Sequence, residues 1–228
     1  MPDLPEPSGL PSASALPVDT NTATPAPAST EPAARKRPRP GERRVQILET
    51  LAAMLEQPGA DRITTAALAA RLQVSEAALY RHFTSKAQMF EGLIEFIESS
   101  VFTLVNQITE RDDSGAVQAR RIVSLLLQFA EKNPGMVRVM VGDALVFEHE
   151  RLNVRMNQFF DRVEGQLRQC LRSSAESQSS ATPTVDAQAL ASGLTALVVG
   201  RLQRYARSGF RRAPTEHLDL VLLRLTAA

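Results

Sequence analysis

The chain has 228 residues, enough to build one core of ordinary size or two small ones. Its 26 lysines and arginines against 25 acidic residues give a formal net charge of +1, and its single cysteine, Cys170, excludes a disulfide framework. No basic segment followed by an apolar run opens the chain, and no apolar stretch reaches the ~18 residues of a membrane span, so we expect a cytoplasmic protein.

Residues 1–40 form a segment rich in Pro, Ser, Thr and Ala that holds ten of the fourteen prolines. Such a segment buries too little apolar surface to offset the entropy of ordering it, so we predict a disordered tail. It contains no Lys or Arg before Arg35, so the excess positive charge belongs to the rest of the chain. We assign no function to residues 1–34.

A basic arm follows the tail, with a single acid, Glu42, among its members. Side chains of this kind are drawn to the phosphates of nucleic acids. The arm consists of Arg35, Lys36, Arg37, Arg39, Arg43 and Arg44.

The body begins with a pattern of three helices over residues 41–84. Apolar residues recur at helical spacing over residues 45–55, where Gln57-Pro58-Gly59 ends the first helix. Thr64 or Thr65 is suited to cap a short second helix, and Ser75 to cap a third after a tight turn. Two short helices that meet in this way predict a helix-turn-helix domain, whose second helix lies in the major groove of DNA.

The remaining residues, 85–228, read as a second domain made of helices. Ser85 to Gln88 has capping-box spacing ahead of a long helix that links the two domains. Further helices are predicted over residues 117–129, from Pro134 with Asn133 as its N-cap, over 151–172 and 185–208, and after Pro214. With Trp absent, only two Tyr and no convincing strand, we predict an all-α fold.

The stretch from Leu79 to Lys86, which reads LYRHFTSK, resembles the signature of TetR-family DNA-binding proteins. The resemblance implies that Tyr80, His82 and Lys86 contact the DNA backbone and that Thr64 and Thr65 contact phosphates. It also implies that the residues from Ser75 to Arg81, including Glu76 and Ala77, face the major groove. Two other interpretations stay open: the threonines act only as helix caps, or Tyr80 and His82 close the core of the small domain.

Further stretches resemble one branch of this family: residues 62–65, 93–98, 133–135 and the pair Phe147-Glu148. That branch binds chromosomal sites as dimers and, when bound to DNA, engages the tubulin-like division protein FtsZ and blocks Z-ring assembly over the nucleoid. The resemblance therefore implies FtsZ and double-stranded DNA as partners, and a location on the nucleoid.

A groove for the C-terminal tail of FtsZ is implied by the same resemblance, at Phe96, Leu125, Lys132 and Asn133. Each position has a competing interpretation, since Phe96 and Leu125 also fit apolar stripes and Asn133 fits an N-cap. Two residues on these helices, Leu104 and Gln128, stand where the family members have Arg and Gly.

A homodimer is predicted from the helices over 151–172 and 185–208, which are long enough to pair with their two-fold mates. We expect Leu190, Leu194, Leu197 and Tyr205 on the seam, although an internal core in a monomer is the alternative. Two recognition helices ~34 Å apart would read a palindromic site.

Three other functions compete with this interpretation. A ligand-responsive repressor would share the DNA-binding domain and enclose a pocket lined by residues 117–147. An enzyme has little support, because the three histidines form no known metal or catalytic motif and no Gly-rich phosphate loop occurs. A helical adaptor for RNA or acidic lipid fits the charge but not the helix-turn-helix pattern. We predict no cofactor, metal or small-molecule ligand.

Overall fold

The computed structural model describes residues 41–57, 62–111 and 114–226, and every structural statement below concerns these residues. The tail and the arm residues Arg35, Lys36, Arg37 and Arg39 lie outside them. The described part is all-α, as predicted, with one short 3-10 turn at Asp143–Leu145. Its helices are α1 (Glu42–Leu55), α2 (Thr65–Leu72), α3 (Glu76–Tyr80), α4 (Lys86–Thr109), α5 (Gly115–Lys132), α6 (Pro134–Met140), α7 (Glu150–Ser177), α8 (Pro183–Arg207) and α9 (Leu218–Thr226).

Helices α1 to α3 pack around a small apolar core. The turn between α2 and α3 is made by Gln73, whose left-handed φ of 56° lets its N–H reach the carbonyls that end α2. Ala69, 3 % exposed, gives the close approach that two crossing short helices need. The core side chains, all at most 1 % exposed, are Ile47, Leu51, Leu55, Leu68, Leu79 and Phe83.

Three side-chain oxygens cap the helices that follow one another here. Thr64 accepts a hydrogen bond from the Ala67 N–H, and Ser75 accepts one from the Ala78 N–H. Ser85 accepts from the N–H of Gln88, whose side chain returns to the N–H of Thr84 at 2.6 Å. The caps predicted at Thr64, Ser75 and Ser85 are thus present, and the capping box closes one residue earlier than its usual form.

The long helix α4 runs from the three-helix unit into the body and is buried along one stripe. Its start lies beside the start of α7, where Arg151 pairs with Glu91 at 2.7 Å and Arg155 with Glu98 at 2.6 Å. The hydrogen bonds that the Arg155 guanidinium donates to the Glu98 carboxylate raise the pKa of Arg155 above its ordinary value. The buried stripe consists of Met89, Phe90, Leu93, Ile94, Ile97, Val101, Phe102 and Val105.

Two glycines allow close approaches between helices. A Cβ at Gly135 in α6 would lie 2.1 Å from the Ala52 carbonyl oxygen of α1, and a Cβ at Gly115 would lie 1.8 Å from the Cys170 carbonyl oxygen. Only a residue without a side chain fits these contacts. Helix α6 thereby joins the three-helix unit to the body.

Two differences from the predicted elements concern α7 and α6. Helix α7 continues to Ser177, five residues beyond the predicted end, so the connection to α8 is shorter. Helix α6 begins at Pro134 as predicted, but the side chain of Asn133 makes no cap hydrogen bond to it. The Asn133 amide instead donates to the Phe129 carbonyl at 2.7 Å and therefore satisfies the end of α5.

Candidate DNA interface and partner groove

The recognition helix α3 presents one polar face. Leu79 is 1 % exposed and holds the helix to the core, whereas the groove-facing residues predicted around it are exposed. Tyr80 is 45 % exposed and His82 is also exposed, while the neighbouring Phe83 fills the core. Tyr80 and His82 therefore do not close the core of the small domain. The exposed set is Ser75, Glu76, Ala77, Tyr80, Arg81 and His82.

The hydroxyl groups at the edge of this face are used in different ways. Thr64 and Ser75 accept backbone hydrogen bonds, which leaves the hydrogen of each hydroxyl available to a phosphate oxygen. Thr65 donates its hydroxyl hydrogen to Glu76 Oε2 at 2.6 Å. Both roles considered for the threonines are therefore compatible at Thr64, which is the cap of α2.

The two arm arginines within the described residues have different surroundings. Arg43 donates to the side chain of Gln46 at 2.7 Å on the surface of α1. The Arg44 guanidinium lies 4.2 Å from the centre of the Phe83 ring and donates to the His82 carbonyl at 3.1 Å. Arg44 thus holds the segment after the recognition helix, a contact that sequence reasoning missed.

Lys86, at the first position of α4, forms an ion pair with Glu148. Glu148 lies 62 residues away, in the segment between the 3-10 turn and α7, and its side chain is 10 % exposed. Beside it, Phe147 is 67 % exposed and lies under the guanidinium of Arg62, 5.8 Å from the ring centre. No local sequence pattern could have indicated this ion pair between α4 and the segment that precedes α7.

The predicted partner residues lie on α4, on α5 and at the end of α5. Phe96 is 46 % exposed and its ring centre lies 6.4 Å from that of half-buried Phe129. Leu125 is half-buried on α5, and Lys132 is exposed at the end of that helix. Apolar side chains thus lie on α4 and α5, and polar groups of Lys132 and Asn133 lie at the end of α5.

The predicted seam residues do not share an outer face. Leu194 is fully buried and Tyr205 is 5 % exposed within the chain itself, so neither offers surface to a second copy. Leu190 and Leu197 are half-buried. The outer face of α8 instead carries small exposed residues, which are Ala189, Ser192, Gly193, Ala196 and Gly200.

Other kinds of site find no support in the part of the chain that the structure describes. No group of three or more His, Cys, Asp or Glu residues there is placed to hold a metal ion. Burial raises the pKa of the Cys170 thiol, which reduces its reactivity. None of the described helices combines the length and apolar character needed to cross a bilayer.

A capped recognition helix with an exposed polar face, carried on a helical body, defines a helix-turn-helix DNA-binding regulator. Two family models agree: residues 47–93 match "Bacterial regulatory proteins, tetR family", and residues 114–226 match "Tetracyclin repressor-like, C-terminal domain". The fold is similar to that of a TetR-like transcriptional regulator from Rhodococcus sp. RHA1, with a TM-score of 0.66 at 20% identity over 85% of this chain and 100% of that one.

Curated relatives narrow this class. The chain is 52% identical over 178 residues to the nucleoid occlusion factor SlmA of Photobacterium profundum, which covers 78% of this chain and 90% of the relative. It is 48% identical over 190 residues to SlmA of Vibrio atlanticus, covering 83% and 96%. The chain belongs to the SlmA family of nucleoid occlusion factors, a branch of the TetR family.

Proposed function

We propose that this chain binds palindromic chromosomal sites as a homodimer and, when bound, engages FtsZ, which prevents Z-ring assembly over the nucleoid. The DNA-binding half rests on the exposed face of α3 and its family membership. The basic arm adds phosphate contacts that are independent of sequence. A protein with this activity acts on the nucleoid in the cytoplasm and needs no catalytic residues.

Dimerisation through the outer faces of α7 and α8 would bring together two recognition helices, one from each copy. Gly165 on α7, and Gly193 and Gly200 on α8, have no atom within 4 Å of an added Cβ. Small residues let two helices approach closely, so this open face suits packing against a second copy. Two recognition helices on one DNA duplex discriminate between sequences far better than one recognition helix does.

The contact between exposed Phe96 and half-buried Phe129 is the observation that carries the FtsZ proposal. An aromatic side chain left 46 % exposed beside a half-buried ring offers an anchor for an apolar side chain of a docked peptide. The Lys132 ammonium and the Asn133 carbonyl and amide groups lie at the end of α5, where they suit the polar part of such a peptide. A tail of FtsZ bound here would lie beside the linking helix α4.

Binding of a labelled FtsZ C-terminal peptide to the DNA-bound protein tests this groove. Phe96→Ala removes the anchor and is expected to weaken peptide binding ~10-fold or more. Leu225→Ala is the matched control, because Leu225 is also 46 % exposed but lies on α9, and it is expected to bind the peptide normally. Equal affinities of the Phe96→Ala variant and the parent chain would contradict the proposal.

The chromosomal distribution of the tagged protein separates this function from that of a ligand-responsive repressor. Crosslinking and sequencing should reveal many palindromic sites spread over the chromosome and missing near the replication terminus. Peaks confined to one or a few promoters would instead indicate a repressor. Residues 117–147 give the repressor alternative little support, because four of their side chains fill the packed core and do not line a pocket. These fully buried residues are Ile122, Val123, Leu126 and Leu127.

A further inference from the structure

We propose that Glu76 reads a cytosine in the major groove and that Thr65 is the residue that positions its carboxylate. This inference rests on the proposed binding of DNA by α3 and assigns a chemical role to two residues on its face. A carboxylate can only accept hydrogen bonds, and the exocyclic amino group of cytosine is a donor in the major groove.

The first observation is a hydrogen bond between the two helices of the reading unit. Thr65 lies at the start of α2 and Glu76 at the start of α3, eleven residues later, and the Thr65 hydroxyl donates to Glu76 Oε2 at 2.6 Å. Hydrogen bonds to charged groups are short and strong, so this one fixes the direction of the carboxylate. The second oxygen, Oε1, stays available to a base.

The second observation is that this hydrogen bond uses the only hydrogen of the Thr65 hydroxyl. Phosphate oxygens at neutral pH accept hydrogen bonds, so Thr65 cannot donate to a phosphate while it holds Glu76. Thr64 differs, because its oxygen accepts from the Ala67 N–H and its hydrogen remains free. The two threonines therefore have separate roles, with Thr64 suited to the backbone and Thr65 to Glu76.

The third observation concerns the charge of Glu76. The side chain is exposed on the face of α3, and no basic residue within the described ranges forms an ion pair with it. A carboxylate brought near phosphates is unfavourable unless a donor meets it, and the start of a helix offsets only part of that cost. A base with an amino group supplies the missing donor.

Cytosine fits this acceptor better than adenine does. Adenine also carries an amino group in the major groove, but its N7 acceptor lies beside that group and repels a carboxylate oxygen. Cytosine presents its amino group without a neighbouring acceptor on the same base. We therefore expect one cytosine in each half-site to be selected by Glu76.

Selection from a DNA library with randomised half-sites tests the inference. The parent chain should select cytosine at one position of each half-site, by ~10-fold or more over the other bases. Glu76→Ala should lose that preference and keep the others. Glu76→Gln should change the preference from cytosine to adenine, because the oxygen and the NH2 group of the glutamine amide both bind adenine. A misfolded variant could not gain a new base preference.

The threonine variants separate positioning from backbone contact. Thr65→Val should weaken the preference at the cytosine position, and Thr65→Ser, which restores the hydroxyl, should rescue it. Thr64→Val should lower the affinity for all sequences evenly while the preferences stay the same. A Thr65→Val variant that behaves like Thr64→Val would assign Thr65 to the backbone and overturn its positioning role.

Two failures are distinguishable in this experiment. If the parent chain selects no sequence at all, the proposed binding of DNA sites fails. If the parent chain selects a palindrome and Glu76→Ala selects the same one with the same base preferences, DNA binding stands and the inference about Glu76 is overturned.

Discussion

Arg43 and Arg44 are neighbours of the same residue type, and the charge pattern predicted the same phosphate role for both. The structure places Arg43 on the open surface of α1, whereas Arg44 packs over Phe83 and holds the His82 carbonyl. The sequence indicates how much charge this segment has, but not which of two adjacent side chains turns toward the core. That choice depends on Phe83, nearly forty residues away.

The two arginines should therefore respond differently to substitution. Arg44→Ala removes a cation–π contact and a hydrogen bond, so we expect the free energy of unfolding to fall by about 1–2 kcal/mol. Arg43→Ala should leave that free energy unchanged and reduce the slope of log K against log salt by ~0.9 for one lost phosphate contact. Denaturant unfolding and DNA titrations at several salt concentrations measure both quantities. Equal stability of the two variants would contradict the assignment.

At the scale of helices, most of the helix-turn-helix domain was predictable because its caps and its turn are set by residues close together in the sequence. Caps such as Ser75 and Ser85 act within three residues, and the left-handed turn at Gln73 falls where the pattern predicted a tight turn. Contacts between distant helices left no such signal. The pairing of Lys86 with Glu148 and the switch of Asn133 from α6 to α5 depend on packing that the periodicity does not contain.

The contact between α1 and α6 gives a prediction at this scale. Gly135→Ala would bring a Cβ to 2.1 Å from the Ala52 carbonyl, so the two helices must separate, and we expect a loss of about 1–3 kcal/mol of stability. Gly165→Ala is the control, since nothing lies within 4 Å of its added Cβ. Thermal unfolding compares the two variants, and a Gly135→Ala protein as stable as its control would be inconsistent with this packing.

For the whole molecule, the dimer seam shows why an apolar pattern alone is ambiguous. Helix α8 has one stripe of large apolar residues and one stripe of small residues. The seam was predicted on the large apolar stripe. The structure uses the large stripe, with Leu194, Val198 and Leu202, inside the chain. The face that we propose for a second copy is the one with small residues, which hydrophobicity does not reveal.

Two neighbouring substitutions on α8 distinguish these faces. Ala196→Glu puts a charge on the open face, so we expect a folded monomer with strongly reduced affinity for a palindromic site. Leu194→Ala creates a cavity inside the chain and is expected to lower the stability by about 2–5 kcal/mol without dissociating the dimer. Light scattering after size-exclusion chromatography measures the mass. A dimeric Ala196→Glu variant would show that the seam lies elsewhere.

The ion pair between Lys86 and Glu148 gives a prediction for the assembled protein. The family resemblance assigns Lys86 to the DNA backbone, and in the free chain Glu148 competes for the same ammonium group. Glu148→Gln should therefore raise the affinity for DNA, while Glu148→Asp, which keeps the charge, should change it less. Fluorescence anisotropy with one duplex at fixed salt measures the effect, and unchanged affinity in Glu148→Gln would mean that the pair persists on DNA.

If Lys86 contacts a phosphate as the resemblance implies, this competition couples the segment around Phe147 to DNA binding. A Lys86 ammonium that turns toward a phosphate leaves the largely buried carboxylate of Glu148 without its cation. An unpaired buried charge is unfavourable, so a rearrangement that exposes the carboxylate to water would be favoured. The linkage is reciprocal: any molecule that binds the rearranged segment must tighten DNA binding by the same factor by which DNA tightens its own. Binding to chromosomal sites and the conformation of the segment around Phe147 would then depend on each other.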